Sequence, residues 1–472
     1  MCLLSLAACR HPDSAGAAKL TPPIYAETPK QSAFLDTLEE RTFRYFWKTT
    51  DPVTGLTPDR APTPSFCSIA AVGFALTAYP IGVERHSIQR FQAVRRVKNT
   101  LRFFLESKQG PDATGVTGYH GFYYHFLDMK TGTRFKDIEL STIDTALLMA
   151  GVLFCQSYFN RQEPDEIEIR AMAESLYARV DWNWAQTRAP LISHGWTPEH
   201  GFLEWDWRGM NESQIVVLLA LGSPTHPVKR DTYLSWLETC KWGKYYDQEH
   251  IGFAPLFGHQ YTQVWYDLAG LQDSLTQAHG IDWFENSRRA TLAQYAYAKD
   301  NPSGYRGYGA DLWGLTACDG PMDGKLTIEG KEREFHTYEA RGASFVRVGD
   351  DGTVAPTAAA GSIPFAPEIC IPSLMAMRNT YGDDLFEKYG FVDAFNPTLN
   401  VPANISAGRI VPGKGWFDID YLGIDEGPIL AMAENFRTGL VWSYMRRNPH
   451  VIRGLRAAGF TGGWLDKTEI HE

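Results

Sequence analysis

The sequence predicts a mainly α-helical protein whose helices form an (α/α)6 barrel, with an inner ring of helices inside an outer ring. Segments that are apolar on all faces alternate about six times with amphipathic segments of helical periodicity. A helix that is apolar all round must be buried, whereas an amphipathic helix has a solvated face, so the alternation predicts two layers. No exact repeat is present, which argues against a solenoid.

In chain order, the predicted helices span residues 33–47, 67–79, 87–107, 142–158, 165–186, 211–221, 229–240, 263–275, 282–298, 367–381 and 427–445. Two segments depart from this pattern. Residues 115–137 alternate Tyr, Phe and His around glycines and predict a β-hairpin, and residues 325–364 predict a β-rich lid. No domain boundary is evident after residue 30, so residues 31–472 are expected to form one catalytic domain.

Composition and charge narrow the class of partner. The net charge is −10 and no basic run stands out, so nucleic acid is not an expected partner, because phosphate binding needs clustered Lys and Arg. The chain holds 14 Trp and 22 Tyr, an excess that favours carbohydrate, since aromatic faces stack on sugar rings. We expect a monomer that binds a polysaccharide or oligosaccharide.

The N-terminus suggests export. Its first nine residues, MCLLSLAAC, form a short apolar run that ends at Cys9 and resembles a bacterial lipobox. Residues 1–30 are therefore interpreted as a signal remnant and linker, and the protein is expected in the periplasm or anchored to the outer membrane through Cys9. The other six cysteines show neither metal-ligand nor disulfide spacing. No later segment has the long apolar run of a membrane helix.

Acidic residues occur where loops meet predicted inner helices. In residues 136–146, Glu139 precedes a helix and Asp144 lies in its first turns, with Ser141 or Thr142 as the N-cap. Asp144 begins an otherwise apolar helix, so it either has a buried partner or faces a cavity.

A second acidic segment ends at Glu212. Asn211 is the predicted N-cap, and Glu212 lies near the positive end of the helix dipole, where simple support of the helix is the alternative to catalysis. A third segment, residues 416–428 (WFDIDYLGIDEGP), crowds Asp420 and Asp425 among other acids, with capping as the alternative role. It lacks the spacing of a calcium-binding EF-hand loop, and no metal is expected there.

These acids would converge on one end of the barrel. Glycoside hydrolysis needs two facing carboxyl groups, one to protonate the leaving oxygen and one to activate water or attack the anomeric carbon. The chain has no G-x-S-x-G, H-E-x-x-H, P-loop or strand–G-x-G-x-x-G–helix motif, and its histidines are not spaced as metal ligands. The pattern favours a glycoside hydrolase that needs no cofactor.

Six motifs resemble the glucoamylase-like domain of glycoside hydrolase family 144, and the resemblance runs from about residue 34 to residue 465. They are GLTPDR at 55–60, residues 68–74, LSTIDTA at 140–146, Asn211-Glu212 with LALGSPTHP at 219–227, PFAPE at 364–368 and LGIDEGP at 422–428. That family contains bacterial β-1,2-glucanases, so the resemblance implies an (α/α)6 barrel that hydrolyses β-1,2-glucan with inversion. Carried over by motif, Glu212 is the expected general acid. Asp425 or Asp420 is the expected base, with Asp144 and Glu139 as further essential acids.

Aromatic and polar residues are candidates for the substrate groove, although core packing is as good an interpretation for any single aromatic. Arg60 could contact sugar hydroxyls or pair with a carboxylate, and histidines could donate hydrogen bonds or simply pack. The candidates are Asp59, Arg60, His120, His194, Trp205, Trp207, Tyr261, Trp265, Tyr305, Tyr308, Trp313, Phe365, Glu368 and Trp416.

Two other classes of function fit the same sequence. A polysaccharide lyase on the same barrel would use Tyr and His, with His120, Tyr123 and Tyr261 as candidates, but its groove should be basic and this chain is acidic. A non-catalytic glucan-binding protein would keep the aromatics and lose a carboxylate, whereas every expected acid is present here.

Overall fold

Residues 25–468 of a computed structural model describe a mainly helical chain; Cys9 and most of the predicted linker lie outside this range, and residues 29 and 30 of that linker already belong to the first helix. The helices are α1 (Pro29–Thr49), α2 (Ile69–Glu84), α3 (Arg90–Glu106), α4 (Thr142–Tyr158), α5 (Pro164–Ala178), α6 (Gln214–Gly222), α7 (Arg230–Glu238), α8 (Phe257–Trp265), α9 (Ser274–Ala278), α10 (Trp283–Asp300), α11 (Pro356–Ala360), α12 (Pro367–Tyr381), α13 (Gly423–Thr438), α14 (Leu440–Met445) and α15 (Pro449–Ala458).

Short strands lie in the loops between the helices. They are β1 (Arg60–Ala61), β2 (Cys67–Ser68), β3 (Gly118–Tyr119), β4 (Phe122–Tyr124), β5 (Phe126–Leu127), β6 (Leu140–Ser141), β7 (Gly195–Thr197), β8 (Gly201–Phe202), β9 (Trp242–Tyr245), β10 (Gln248–Ile251), β11 (Ala317–Cys318), β12 (Gly324–Ile328), β13 (Lys331–Phe335), β14 (Glu339–Ala340), β15 (Gly342–Ser344), β16 (Arg347–Gly349), β17 (Phe386–Glu387), β18 (Gly390–Phe391), β19 (Phe395–Asn396), β20 (Arg409–Val411), β21 (Gly415–Phe417) and β22 (Tyr421–Leu422). The largest sheet has the order β3-β4-β6-β7-β8.

The helices divide into two sets by burial. Helices α2, α4, α6, α8, α11 and α13 are buried along almost their whole length, and neighbours in this set pack on one another, α2 against α4 and α13, and α6 against α4 and α8. The second set covers them from outside: α1 packs on α2 and α13, α5 on α4, α15 on α6, α10 on α8 and α12 on α11. The apolar all-round sequences therefore form the inner set, as their composition requires.

Most helix predictions are confirmed, and α4 and α12 have the predicted bounds. The helix predicted at 263–275 is wrong: α8 ends at Trp265, because the chain turns at Asp267, which accepts the Ala269 N–H, and at Gly270, which has a φ of +75°. The helix predicted at 427–445 begins earlier and breaks at Gly439, whose φ is +67°. Helix α11 falls inside the segment predicted to be β-rich.

The predicted hairpin at 115–137 is confirmed. Strands β3 and β4 pair with Tyr119 opposite Phe122, which leaves a two-residue turn of His120 and Gly121. Both turn residues have positive φ, 53° and 83°, as the tightest hairpin turns require. The segment 325–364 forms the hairpins β12–β13 and β15–β16 before it enters α11. Among residues 25–468, no helix combines the length and the apolar character needed to cross a bilayer.

Helices α2 and α4 approach each other most closely at two glycines. A Cβ at Gly151 would lie 2.2 Å from the Gly73 carbonyl oxygen, and a Cβ at Gly73 would lie 2.3 Å from that of Leu147. Both contacts are with backbone, so neither helix can yield without moving as a whole.

We therefore expect Gly151→Ala to lower the free energy of unfolding by about 1–3 kcal/mol through overpacking, measured by chemical denaturation. Gly110→Ala is the matched control, because a Cβ there meets no atom closer than 3.8 Å. Equal stabilities of the two variants would contradict the close packing of α2 on α4.

Candidate active site

The N-terminal ends of the inner helices present the predicted acids. Asp144 lies in the first turn of α4, whose N-cap is Ser141: the Ser141 Oγ accepts the Asp144 N–H at 3.1 Å and donates to the Asp144 carboxylate. Asp425 lies in the first turn of α13. Glu212 lies in the turn just before α6, which begins later than predicted, at Gln214. Asn211 caps that turn by accepting the Ser213 N–H at 2.9 Å.

His125, which no motif in the sequence marks as functional, joins Asp144 to another predicted acid, Glu139. The Nδ1 of His125 lies 2.8 Å from Glu139 Oε1, and its Nε2 lies 3.5 Å from Asp144 Oδ2. Burial alone would lower the pKa of His125, but the charge of Asp144 and the hydrogen bond to Glu139 outweigh it and raise the pKa to about 9. Although burial opposes it, His125 also holds the pKa of Glu139 below its usual value. The imidazolium therefore keeps Glu139 ionised.

Glu212 has the opposite environment. Removal from water raises the pKa of Glu212 to about 7, and the negative charge of Asp144 contributes to the rise. A hydrogen bond from the Glu212 backbone N–H lowers the pKa but does not offset these two effects. No salt bridge to Glu212 occurs within residues 25–468. Burial and then the charges of Asp425, Glu212 and Asp144 raise the pKa of Tyr261 on α8, so all three acids lie within electrostatic range of its hydroxyl. Acids in the first turns of α4 and α13 and in the turn before α6 thus act on one tyrosine.

Asp425 belongs to a second group of acids. Burial raises the pKa of Asp425 to about 8, and the negative charges of Glu426 and Asp319 add to the rise. A hydrogen bond with Asp393 acts in the opposite direction and lowers this pKa. Tyr338, from the loop after β13, joins this group: desolvation and the charges of Asp425 and Asp393 raise its pKa. The inserted β hairpins at 324–349 therefore bring a hydroxyl to the acids at the start of α13.

Asp420, the other expected base, and Arg60 each form well-defined contacts with neighbouring residues. Arg60 donates from Nε to Asp59 at 3.2 Å and from Nη1 to Asp319, so it pairs with carboxylates. Asp420 accepts the Thr63 N–H at 2.8 Å and so fixes the loop that carries Arg60. Asp420 thus serves loop structure, whereas the charge of Asp425 reaches Tyr261.

Two further candidates lie beside the start of α4. His194 stacks on Trp207 with ring centroids 3.7 Å apart, and the Trp207 indole N–H donates to Thr142 Oγ1 at 2.9 Å. Burial lowers the pKa of His194 and so favours the neutral imidazole. Because Thr142 is two residues before Asp144, this pair lies beside the first turn of α4.

Several aromatic candidates belong to the core, which corrects the prediction that they line the groove. Trp265 donates to Thr77 and stacks on Phe74, and Trp313 donates to Ser373. Phe365 packs against Phe284. Trp416 donates to the Ala407 carbonyl in a second apolar cluster. Each of these four side chains is at most 1% exposed, so none can stack on a sugar.

Other predicted binding residues have structural partners elsewhere. Glu368 pairs with Arg288 on α10. The Tyr308 hydroxyl donates to Asp350 at 2.8 Å, and Tyr305 donates to the Asp350 carbonyl at 2.7 Å. His120 stacks on Trp184 and lies 3.5 Å from Asp181. Trp205, 71% exposed, stands on the surface. These contacts give Glu368, Tyr305, Tyr308 and His120 structural partners, and the substrate-binding role of these residues and of Trp205 stays a prediction.

A family of known proteins matches a long segment of the chain. Residues 204–449, more than half of the chain, match the family model Glycoamylase, described as "Putative glucoamylase". The chain belongs to the Glycoamylase family. The family segment includes Glu212, Tyr261 and Asp425, whereas His125 and Asp144 precede it.

Relatives of this Glycoamylase-family chain cover nearly all of it. The exo β-1,2-glucooligosaccharide sophorohydrolase (non-reducing end) of Parabacteroides distasonis is 28% identical over 466 residues, 92% of this chain, and this chain spans 58% of that protein. A "putative glucoamylase" from Bacteroides uniformis is 30% identical, with a TM-score of 0.78 over 93% of this chain and 100% of that one. The endo-β-1,2-glucanase of Chitinophaga pinensis, solved with sophorotriose and glucose, is 26% identical, with a TM-score of 0.78 over 93% and 99%.

The contacts of His125 predict its titration. We expect its imidazole to titrate near pH 9, and Glu139→Gln to move this value down toward the ordinary histidine pKa of about 6.5, because the variant removes a charge that favours the imidazolium. The measurement is NMR of the protein labelled with ¹⁵N-histidine. Glu204→Gln, a change at an exposed acid, should leave the value unchanged, and a pKa at or below 6.5 in the unmodified protein would contradict the bridge.

Proposed function

We propose that the inner and outer helices close as an (α/α)6 barrel. Six buried helices, α2, α4, α6, α8, α11 and α13, each have an outer neighbour, and α13 packs back on α2. In such a ring, alternate helices run in the same direction, so all inner N-termini lie at one end. The common location of Asp144, Glu212 and Asp425 around Tyr261 supports this arrangement.

We propose that the protein is a glycoside hydrolase that cleaves β-1,2-glucan. The observation that carries the proposal is the meeting of Glu212, Asp144 and Asp425 around Tyr261, since glycoside hydrolysis needs two carboxyl groups beside one sugar linkage. The linkage is inferred from the relatives, two of which are named for β-1,2-glucan or its oligosaccharides. Endo cleavage and release of short oligosaccharides from a chain end both fit the proposal.

The two carboxyl groups have different proposed roles. Glu212 is the general acid: its pKa of about 7 keeps a proton available at neutral pH for the leaving oxygen. Asp425 is the general base, directly or through a hydroxyl or water, because it begins a different inner helix and its charge reaches the same Tyr261. Asp144 raises the pKa of Glu212, and His125 holds Asp144 and Glu139 in position.

We further propose inversion at the anomeric carbon. An inverting enzyme keeps its two carboxyl groups about 6.5–9.5 Å apart so that water can enter between them. The position of Glu212 in the turn before α6 and of Asp425 in the first turn of α13, with the charges of both acting on Tyr261, supports a gap of this kind. Export remains a separate proposal: the lipobox pattern ending at Cys9 supports a periplasmic or outer-membrane location.

Removal of the proposed acid is the direct test. With linear β-1,2-glucan as the substrate, Glu212→Gln should lower kcat at least 10²–10⁴-fold, because the amide cannot donate the proton, and Asp425→Asn should cause a loss of similar order. Glu204→Gln, an exposed acid in the same segment, is the control and should retain full activity. Product sizes and the anomer first released, followed by NMR, report the mode of cleavage and the inversion.

Three results would count against the hydrolase. Near-full activity of Glu212→Gln would remove the assigned acid. Products that absorb in the ultraviolet from a uronic-acid polymer would instead indicate a lyase. Tight binding of β-1,2-glucan with no new reducing ends would indicate a glucan-binding protein.

The pKa of Glu212 also predicts a pH dependence. Glu212 must be protonated and Asp425 ionised for the pair to act, so kcat/KM should be greatest between their pKa values of about 7 and about 8 and should fall above the higher value, approaching tenfold per pH unit. The measurement is the pH profile of kcat/KM, with Glu204→Gln expected to show the same upper limb. An upper limb near the ordinary glutamate pKa of about 4.3 would contradict the assigned environment.

A further inference from the structure

Three aspartates converge beside the proposed active site. Asp319 follows β11, Asp393 lies between β18 and β19, and Asp418 follows β21, so three separate loops contribute one residue each. One carboxylate oxygen from each lies within 4.8 Å of the others, and the residues are only 6%, 4% and 1% exposed. That spacing suits three oxygens around a single ion, since Ca²⁺ and Mg²⁺ take oxygen ligands at about 2.0–2.6 Å.

One carboxylate oxygen of this cluster has no hydrogen-bond partner. Asp393 Oδ2 accepts the Asp319 N–H at 2.7 Å, and the Asp393 carboxyl group is also hydrogen-bonded to that of Asp425. Asp418 Oδ1 accepts the Ile419 N–H at 2.7 Å, whereas Asp418 Oδ2 is buried and has no partner within residues 25–468. A buried, unpartnered carboxylate oxygen is costly, so Asp418 Oδ2 calls for a ligand.

The charge of the cluster is not balanced by protein cations. Arg60 pairs with Asp319 but also with Asp59. The nearby Arg341 donates from Nε and Nη2 to Asp351, both at 2.8 Å. Within the described part of the chain, no Lys or Arg forms a salt bridge with Asp393 or Asp418. Two buried carboxylates are therefore left without a counter-ion.

We propose that Asp319, Asp393 and Asp418 bind a hard divalent cation of the Ca²⁺ or Mg²⁺ class. An all-oxygen, all-carboxylate ligand set favours these ions over the softer transition metals, which prefer imidazole or thiolate. The cation would contact Asp418 Oδ2 and one oxygen from each of the other two carboxylates, and would balance the charge that Arg60 leaves. It would also lie behind Asp425, whose carboxyl group is hydrogen-bonded to Asp393, and so act as a positioning element.

Cation binding by the full-length protein, purified with a chelator and then freed of it, is the test. Calorimetric titration with CaCl₂ and with MgCl₂ to about 10 mM, above the weakest protein calcium sites, should show one site for at least one ion. The melting temperature should rise with the logarithm of that ion's concentration, since the ion binds only the folded state. Asp418→Asn should weaken binding at least tenfold and abolish this rise.

Asp112→Asn is the matched control, because Asp112 is exposed and, among residues 25–468, forms a salt bridge only with Lys108; it should bind the cation as the unmodified protein does. Circular dichroism checks that Asp418→Asn is folded, and Asp393→Asn serves as the second variant if it is not. The proposal is overturned if neither ion gives heat or a melting shift, which would mean that protons neutralise the cluster. It is also overturned if folded Asp418→Asn binds as tightly as the control. Both readouts are independent of glucan hydrolysis, so they stand whether or not the proposed function does.

Discussion

The burial of carboxyl groups at the ends of apolar helices is the constraint on which the rest of this structure depends. An ionised carboxylate removed from water costs several kcal/mol unless it is paired or hydrogen-bonded. The inner helices are almost wholly apolar and supply few partners, so the partners come from the connecting loops. His125 follows β4, Arg60 begins β1, and Ser141 ends β6. The long loops are thus required by the charges at the helix ends.

These acids differ in their charged neighbours, and their pKa values differ as a result. Glu139 has an imidazolium partner and a lowered pKa, whereas Glu212 has only the negative Asp144 nearby and a pKa of about 7. Two glutamates connected through Asp144 thereby have pKa values on opposite sides of the ordinary glutamate value, Glu139 below it and Glu212 above it. Environments that drive carboxyl pKa values apart are what acid–base catalysis requires.

The sequence patterns that are local predicted the fold well, and those that depend on distant partners did not. Helix α4 follows from an apolar run capped by Ser141, and α12 from a segment that begins at Pro367 and is followed by Gly382. Helix α8 was misplaced because it buries Gln260 and Gln263, whose amides bond to Ser362 and Ser287 on other elements, so it does not look like an inner helix. The acids at helix starts were found through their capping context. Nothing local marks Asp319 and Asp393, which meet across 74 residues, and aromatic content alone could not separate the core Trp313 and Trp416 from a groove wall.

A single guanidinium joins the two groups of acids. Arg60 contacts Asp59, which faces the His125 side, and Asp319, which belongs to the buried cluster. One cation between two carboxylates leaves nothing for Asp393, and Asp393 is hydrogen-bonded to Asp425. Whatever neutralises Asp393 therefore sets the state of the proposed base. A proton on Asp393 would be donated to Asp425 and keep it an acceptor, and a cation would stabilise the same anion through its field. Both routes favour the ionised form of Asp425 against the burial that raises its pKa to about 8, so the buried cluster determines whether Asp425 can act as the base beside a protonated Glu212.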